Sequence, residues 1–273
     1  LDTILPSLAA SALRGKKRVY DAHELFTEQK EIVTRPFIHK CWLAIEKYAV
    51  PRYKYGYTVN QFIAEELQRR YHVRYGIVRN LPLYTSPAKA PTEKFIIYQG
   101  AVNEGRSFET LIPAMQQVHA KLIIYGKGNF FNQVQQLIAN NKLEDKIELK
   151  GHVTPDKLKQ ITPTASVAVT IFESTGLNQY YSLSNRFFDY IMAGVPQVCV
   201  NYPEYKAIND VYDIAIMIDD VQPATIAAAL NKLLADEVLY ARLQQHCIKA
   251  AAVLNWQEEE KKLIAFYNQL VKD

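Results

Sequence analysis

The run Tyr180-Tyr-Ser-Leu-Ser-Asn-Arg-Phe-Phe-Asp-Tyr-Ile-Met-Ala-Gly-Val-Pro196 sets one guanidinium and one carboxylate among small polar groups at the mouth of a helix. Ser182, Ser184 and Asn185 make a polar turn that opens a helical stretch running to Ala193. Gly194-Val195-Pro196 ends it, and an apolar strand, Gln197–Val200, follows. The first N–H groups of a helix lack internal partners and carry partial positive charge, so a phosphate fits there. Arg186, in the first turn, adds a charged fork, and Asp189, one turn on, can accept from sugar hydroxyls. An ordinary capped helix before a buried strand is the other reading the local chemistry allows.

A second constellation is the strand-to-helix loop Tyr98-Gln-Gly-Ala-Val-Asn-Glu-Gly-Arg106. Gly100 and Gly105 let the backbone approach a diphosphate closely, and Arg106 supplies charge. A tight turn with a surface arginine is the alternative. Tyr125-Gly126-Lys-Gly128 repeats the pattern after the next strand. His23, at a strand end in Tyr20-Asp-Ala-His-Glu24, can donate to developing charge, with Asp21 or Glu24 to orient it. Asp21 itself reads as a buried hydrogen-bonding residue. His152, in Lys150-Gly-His-Val-Thr154, reads as structural.

The elements that must hold these groups alternate between strand and helix. Short strands are expected at 18–22, 55–59 and 76–79, and helices at 36–50 and 61–71. The first helix has an apolar stripe at Phe37, Cys41, Ala44, Ile45 and Tyr48, and the second is capped by Asn60. Residues 83–94, with Pro87 and Pro91, read as a linker. A second set then begins at Phe95 and continues through helices at 107–118, 130–140 and 155–161 and strands at 121–125, 147–150 and 165–171. Such alternation argues parallel sheets covered on both faces, hence two Rossmann-like domains with a ligand cleft between them at the strand ends. The expected boundaries are 1–82, 83–94, 95–255, and a terminal helix at 256–273 that crosses back to the first domain.

Composition is that of an α/β enzyme. The chain has 273 residues, 49% of them hydrophobic, and no apolar run long enough to span a bilayer. Its three cysteines, Cys41, Cys199 and Cys247, are widely spaced and read as reduced structural thiols rather than a disulfide framework or a zinc site. Residues 1–92 hold 15 Lys/Arg against 8 Asp/Glu, whereas 93–273 hold 17 against 20. The basic runs are Arg14-Gly-Lys-Lys-Arg18, Arg35 to Lys54, and Arg69-Arg70 with Arg74. They are either a solvated surface or a face attracted to anionic lipid headgroups or an anionic acceptor. No nucleic-acid recognition module is visible.

The helix ending in Ala193-Gly194 before a proline-containing strand resembles the donor-site helix of retaining glycosyltransferases of family 4, of bacterial cell-envelope or exopolysaccharide type, which have the GT-B fold. Asp189 stands where the second acid of their paired-acid motif belongs. The first acid's place holds Tyr181, and the nearest earlier acid is Glu173. In the Gly-rich loop, Ala101 and Glu104 occupy the slots of the usual Arg and Lys, which leaves Arg106 to take over the charge. Gly126 matches the family's Gly-x-Gly turn. His152 and Val153 match the loop whose backbone holds the base. Trp256 and Tyr267 match the crossing helix, and His23 matches the strand end that faces the transferred sugar.

The resemblance implies transfer of a sugar, with retention, from a nucleotide-diphosphate sugar to a saccharide or lipid-linked acceptor. His23, Arg106 and Arg186 would do the electrostatic work. Gly100, Gly105, Gly126, His152, Val153, Tyr181, Ser184, Asn185 and Asp189 would bind the donor. No protein nucleophile is assigned, no Asp-x-Asp metal motif is present, and no cofactor is expected beyond the donor. A cytoplasmic location is implied, with contact at the inner face of the membrane as an open possibility. Two other readings stay open: a non-catalytic nucleotide-sugar-binding or assembly subunit, and another GT-B enzyme such as a sugar-nucleotide epimerase. The first set of strands is short for a doubly wound domain, and Leu1-Asp-Thr-Ile-Leu-Pro6 reads as a helix entry capped by Asp2. The expectation is a first domain truncated at its N-terminus by roughly four strands, or one completed by a second chain or a dimer mate.

Overall fold

The computed structural model describes residues 1–85, 94–174 and 176–272. Most of the expected linker at 83–94 lies outside the described residues. The chain runs α1 (Ile4–Leu13), β1 (Val19–Ala22), α2 (Lys30–Val33), α3 (Pro36–Ala49), β2 (Tyr55–Thr58), α4 (Gln61–Tyr71) and β3 (Gly76–Ile77). It continues through β4 (Phe95–Gln99), α5 (Phe108–Ala114), β5 (Lys121–Tyr125), α6 (Phe131–Asn140), β6 (Ile147–Gly151), α7 (Pro155–Ile161), β7 (Val167–Thr170) and α8 (Leu177–Tyr180). It closes with α9 (Asn185–Met192), β8 (Gln197–Val200), α10 (Pro203–Tyr212), β9 (Ala215–Ile218), α11 (Pro223–Ala235), α12 (Glu237–Ala251) and α13 (Trp256–Lys272). Two compact units result. Unit 1 comprises Leu1–Asn80, Ser174–Leu183 and Glu258–Asp273, and unit 2 comprises Leu81–Glu173 and Ser184–Gln257. No described helix is long and apolar enough to cross a membrane.

Unit 1 is built on a parallel three-stranded sheet, β1-β2-β3, with Val19 opposite Tyr55 and Tyr57 opposite Gly76. Its core gathers Leu8, Leu25, Val50, Ile63 and Leu67. Asn60 caps α4 as its side-chain type favours, its Oδ1 accepting from the Ile63 N–H at 2.8 Å. From Glu258 onward α13 packs in this unit: Phe266 meets Tyr57 edge-on at 5.3 Å, and Glu259 accepts from the Arg79 N–H at 2.9 Å.

Four details depart from the sequence reading. Of the stripe Phe37, Cys41, Ala44, Ile45 and Tyr48, only Ile45 turns towards the unit 1 core; the other four are exposed. The inward face also carries Glu46 and Ala49. Glu46 is tolerated there because Thr27 and Tyr71 each donate to it at 2.7 Å. Cys41 is accordingly exposed, whereas Cys199 and Cys247 are buried. Thr3, not Asp2, precedes α1, and it makes no side-chain cap. The segment after Glu173, read as a loop, contains the four-residue helix α8, whose Asn178 Oδ1 accepts from the Leu25 N–H at 3.0 Å.

Unit 2 has a six-stranded, all-parallel sheet in the order β6-β5-β4-β7-β8-β9. Every residue of β4 is buried, as a strand covered on both faces requires. Pro113 removes a ladder N–H from α5, which stops at Ala114 and continues as a 3-10 turn, Met115–Gln117, short of the helix expected to 118. The chain winds outward in both directions from β4 and β7, so the topological switch point lies at their C-terminal ends. Ligands of open parallel sheets bind at that point.

Candidate functional site

The loops that follow β4, β5 and β6 are laced together by backbone hydrogen bonds. The Gly100 N–H donates to the Tyr125 carbonyl at 2.9 Å, Val102 to Lys127 at 3.1 Å, and Gly126 to Gly151 at 2.7 Å. The glycines are required by this lacing. A Cβ on Gly126, whose φ is +154°, would sit 1.8 Å from the Gly100 oxygen, and one on Gly128 would sit 2.3 Å from the Val102 oxygen. Tyr125-Gly-Lys-Gly128 is therefore explained by loop-on-loop packing. Gly100, at φ +125°, belongs to this laced rim, whereas Gly105, at φ +77°, is tied to the loop after β7 through its carbonyl, which accepts from the Glu173 N–H.

Beneath that rim lies Arg186. Its side chain is carried inward by the first turn of α9, and the residue is only 8% exposed. The guanidinium lies 4.5 Å from the centroid of the Tyr98 ring, and Nη1 donates to the Gln99 carbonyl at 3.4 Å. The same nitrogen is 3.7 Å from where a Gly100 Cβ would be. No ion pair to Arg186 occurs among the described residues. At the start of the same helix the Ser184 N–H donates to Tyr205 Oη at 2.8 Å, while the buried Ser184 hydroxyl has no hydrogen-bond partner. Asn185, next in line, is exposed. The buried hydroxyl of Ser107, at the start of α5, is likewise without a partner. A buried cation and two orphaned hydroxyls beside helix N-termini make a charge environment completed by an anion.

Arg106 is partly buried, its guanidinium 5.8 Å from the centroid of Phe172. Phe172 in turn meets Tyr205 edge-on at 5.8 Å. The Glu173 N–H donates to the Gly105 carbonyl at 3.2 Å. Tyr181 belongs to unit 1, stacked on Phe62 with centroids 5.5 Å apart, and its carbonyl accepts from Asn60 at 2.6 Å.

Asp189, one turn along α9, lines a cavity of about 340 Å³ with Gln99, Lys159, Thr162 and Met192. Gln99 spans two partners. Its Nε2 donates to Asp189 Oδ2 at 2.9 Å, and its Oε1 accepts from the Thr162 hydroxyl at 2.6 Å. Burial pushes the Asp189 carboxyl up to about 6; the Gln99 hydrogen bond and the Lys159 charge pull it only partly back. Sequence reasoning did not single out Gln99 or Thr162. The signal was a lone amide closing the otherwise apolar run of β4, where a polar side chain needs a buried partner. His152 is exposed and Val153 half-buried, both just past Gly151 at the end of β6.

His23 follows β1 in unit 1. Its Nε2 is 3.0 Å from Asp21 Oδ1 and its Nδ1 is 3.0 Å from Asn80 Nδ2, so both ring nitrogens are engaged. Asp21 is exposed rather than buried, its side chain at 44%, and it also accepts from the Tyr57 hydroxyl at 3.2 Å.

Comparison with known proteins bears on both units. The poly(glycerol-phosphate) alpha-glucosyltransferase of Bacillus subtilis (strain 168) is 26% identical over 181 residues, which is 62% of this chain but 25% of that protein. The chain thus spans a quarter of the length of this curated relative. Anabaena HepE, solved in complex with UDP-glucose, superposes over 100% of this chain and 77% of its own with a TM-score of 0.80 at 12% identity. An S. aureus TarM variant, solved with Fondaparinux, alpha-GlcNAc-glycerol and UDP, covers 93% of this chain and 51% of its own with a TM-score of 0.72 at 14% identity. These likenesses establish the α/β GT-B fold that the sequence led us to expect. The family model for glycosyl transferases group 1 matches residues 85–253, which contain the laced loops, Arg186 and Asp189, and the chain belongs to that family.

Proposed function

We propose that this chain is a retaining glycosyltransferase of family 4 that takes a sugar from a nucleotide-diphosphate sugar and passes it to a saccharide or lipid-linked acceptor. The observation that carries the reading is Arg186, a buried guanidinium without a carboxylate, under a glycine rim and beside an orphaned serine hydroxyl. An uncompensated buried charge is costly, so a site that keeps one is built for an anion.

In this reading the diphosphate sits on the N-terminus of α9, held by Arg186 and the Ser184 hydroxyl, with Arg106 on its other side. Asp189, oriented by Gln99, accepts from ribose hydroxyls. The backbone at His152 and Val153 takes the base, and Glu173 fills the role first sought at Tyr181, accepting from the sugar ring. The bond from the anomeric carbon to the diphosphate oxygen breaks, and the acceptor oxygen bonds to that carbon on the same face. The acceptor's proton passes to the leaving phosphate oxygen, so no protein nucleophile is used. The arginines stabilise the charge that develops on the leaving group. His23, engaged on both nitrogens, is assigned no proton transfer. The UDP complexes of the structural relatives favour a uridine donor.

Calorimetric titration of UDP and of uridine into the protein and its Arg186→Met variant tests the site. UDP binding should fall by about tenfold or more in the variant while uridine binding changes little; equal UDP affinity in both proteins refutes it. The anomeric configuration of the product, read by NMR, tests retention. The substitutions Ala101 and Glu104 in the phosphate loop favour one second reading, a donor-binding subunit without catalysis. Donor hydrolysis by the chain decides between the two.

A further inference from the structure

Unit 1 carries a cavity of its own, about 390 Å³, lined by Ser11, Lys16, Lys17, Arg18, Arg52 and Lys54 among others. It lies where α1 ends and where β1 and β2 begin, at the end of the sheet away from His23. No carboxylate lines it. None of its five cations takes part in an ion pair among the described residues. The third basic run behaves differently: Arg69 and Arg70 are tied to Glu66, and Arg70 also to Glu28 at 2.7 Å. Unit 1 therefore neutralises some of its positive charge internally and gathers five other cations around one concavity.

The surroundings of that concavity are apolar as well as cationic. Arg52 donates to the Tyr48 carbonyl and lies 3.8 Å from the centroid of the Tyr48 ring, which joins the cavity to the outward face of α3. That face presents Phe37, 79% exposed, and Tyr48, 54% exposed, along three turns of helix with Lys40 and Lys47 beside them. Leu13, where α1 ends at the cavity, is 89% exposed. Large apolar side chains this open, rimmed by lysine and arginine, do not lower the free energy of a protein in water. At a bilayer surface both kinds of group gain: the cations meet lipid phosphates, and the apolar side chains enter the boundary between headgroups and acyl chains.

We propose that this face docks the protein on an anionic lipid membrane, with a headgroup phosphate in the cationic cavity and Leu13, Phe37 and Tyr48 in the interface. A soluble phosphate polymer would satisfy the cavity but offers nothing to Phe37. The inference involves unit 1 alone and does not rest on the donor reading, because vesicle binding is measured without nucleotide.

The test is flotation with vesicles of phosphatidylcholine alone or mixed with phosphatidylglycerol. The protein should float with the mixed vesicles and not with the neutral ones, and added salt should release it. A Lys16→Ala, Arg18→Ala, Lys54→Ala variant should bind roughly a hundredfold more weakly. Phe37→Ser should bind about tenfold more weakly. Arg69→Ala, which removes a cation already paired, should bind as the parent does. Either cavity or Phe37 variant, folded by circular dichroism, binding mixed vesicles like the parent overturns the proposal. So does a parent protein that binds inorganic tripolyphosphate but no vesicles.

Discussion

Replacing Asp189 by Asn separates the cost of the site from its use. The carboxyl titrates at about 6 in the folded protein against 3.8 for an unperturbed aspartate. Folding therefore favours the protonated form. The stability this contributes is fully present below about pH 4 and is lost as pH rises through 6. A displacement of that size corresponds to about 3 kcal/mol, the burden that the ionised carboxylate places on the fold at about pH 7.5. The Asn variant carries no such burden and retains an oxygen to accept from Gln99. Thermal unfolding followed by tryptophan fluorescence between about pH 4 and 8 should show matching midpoints near pH 4. By about pH 7.5 the variant should be ahead by roughly 6–12 °C. Its affinity for UDP should nevertheless fall, by about 1–3 kcal/mol, through loss of charged hydrogen bonds to the ribose. A residue whose removal strengthens the fold and weakens the ligand is kept for function. Parallel pH profiles for the two proteins, or a variant less stable in mildly alkaline buffer, would refute the reasoning about burial. Unchanged UDP affinity would remove Asp189 from the site.

Other expectations follow from the same geometry. Gly126→Ala should destabilise unit 2 by about 3 kcal/mol or more, because its Cβ meets the Gly100 oxygen and φ is +154°; chemical denaturation of the purified variant measures this. Glu66→Gln should cost about 2 kcal/mol at neutral pH, since hydrogen bonds from Arg69 and then Arg70 hold that carboxyl down at about 2. The difference should vanish as pH falls from about 5 towards 2, because a depressed carboxyl contributes stability only while it is ionised in the fold. Glu173→Gln should leave UDP affinity unchanged and weaken discrimination among UDP-sugars, as measured by titration with UDP-glucose and UDP-N-acetylglucosamine.

Much of unit 2 could be read directly from the chain. Strands β5 and β8 and helix α7 have the ends assigned from sequence, because apolar runs bounded by Pro, Gly and Asn leave little choice of register. The place of Arg186 and Asp189 on one short helix was legible too: the polar turn and the Ala193-Gly194-Val195-Pro196 stop fix where the helix begins and ends. What stayed hidden depended on pairings between distant segments. Gln99 is one residue in an apolar strand until Asp189 and Thr162 close on it, 90 and 63 positions away. The inward Glu46 of α3 was not foreseen, since nothing local announces that Thr27 and Tyr71 will supply its hydrogen bonds. Sequence distance groups Tyr181 with the donor helix, whereas the break before Ser184 puts it with Phe62 in unit 1.

The lacing of the loops after β4, β5 and β6 divides the labour of change between backbone and side chain. Because Gly100, Val102 and Gly126 hold their neighbours' carbonyls, lengthening any one of these loops would break a bond in the next. Inheritance along this rim must therefore be conservative in length. Lys127 and His152, which hang from the rim into solvent, are under no such restraint. A lineage could exchange those side chains freely while the frame that carries them is passed on unaltered.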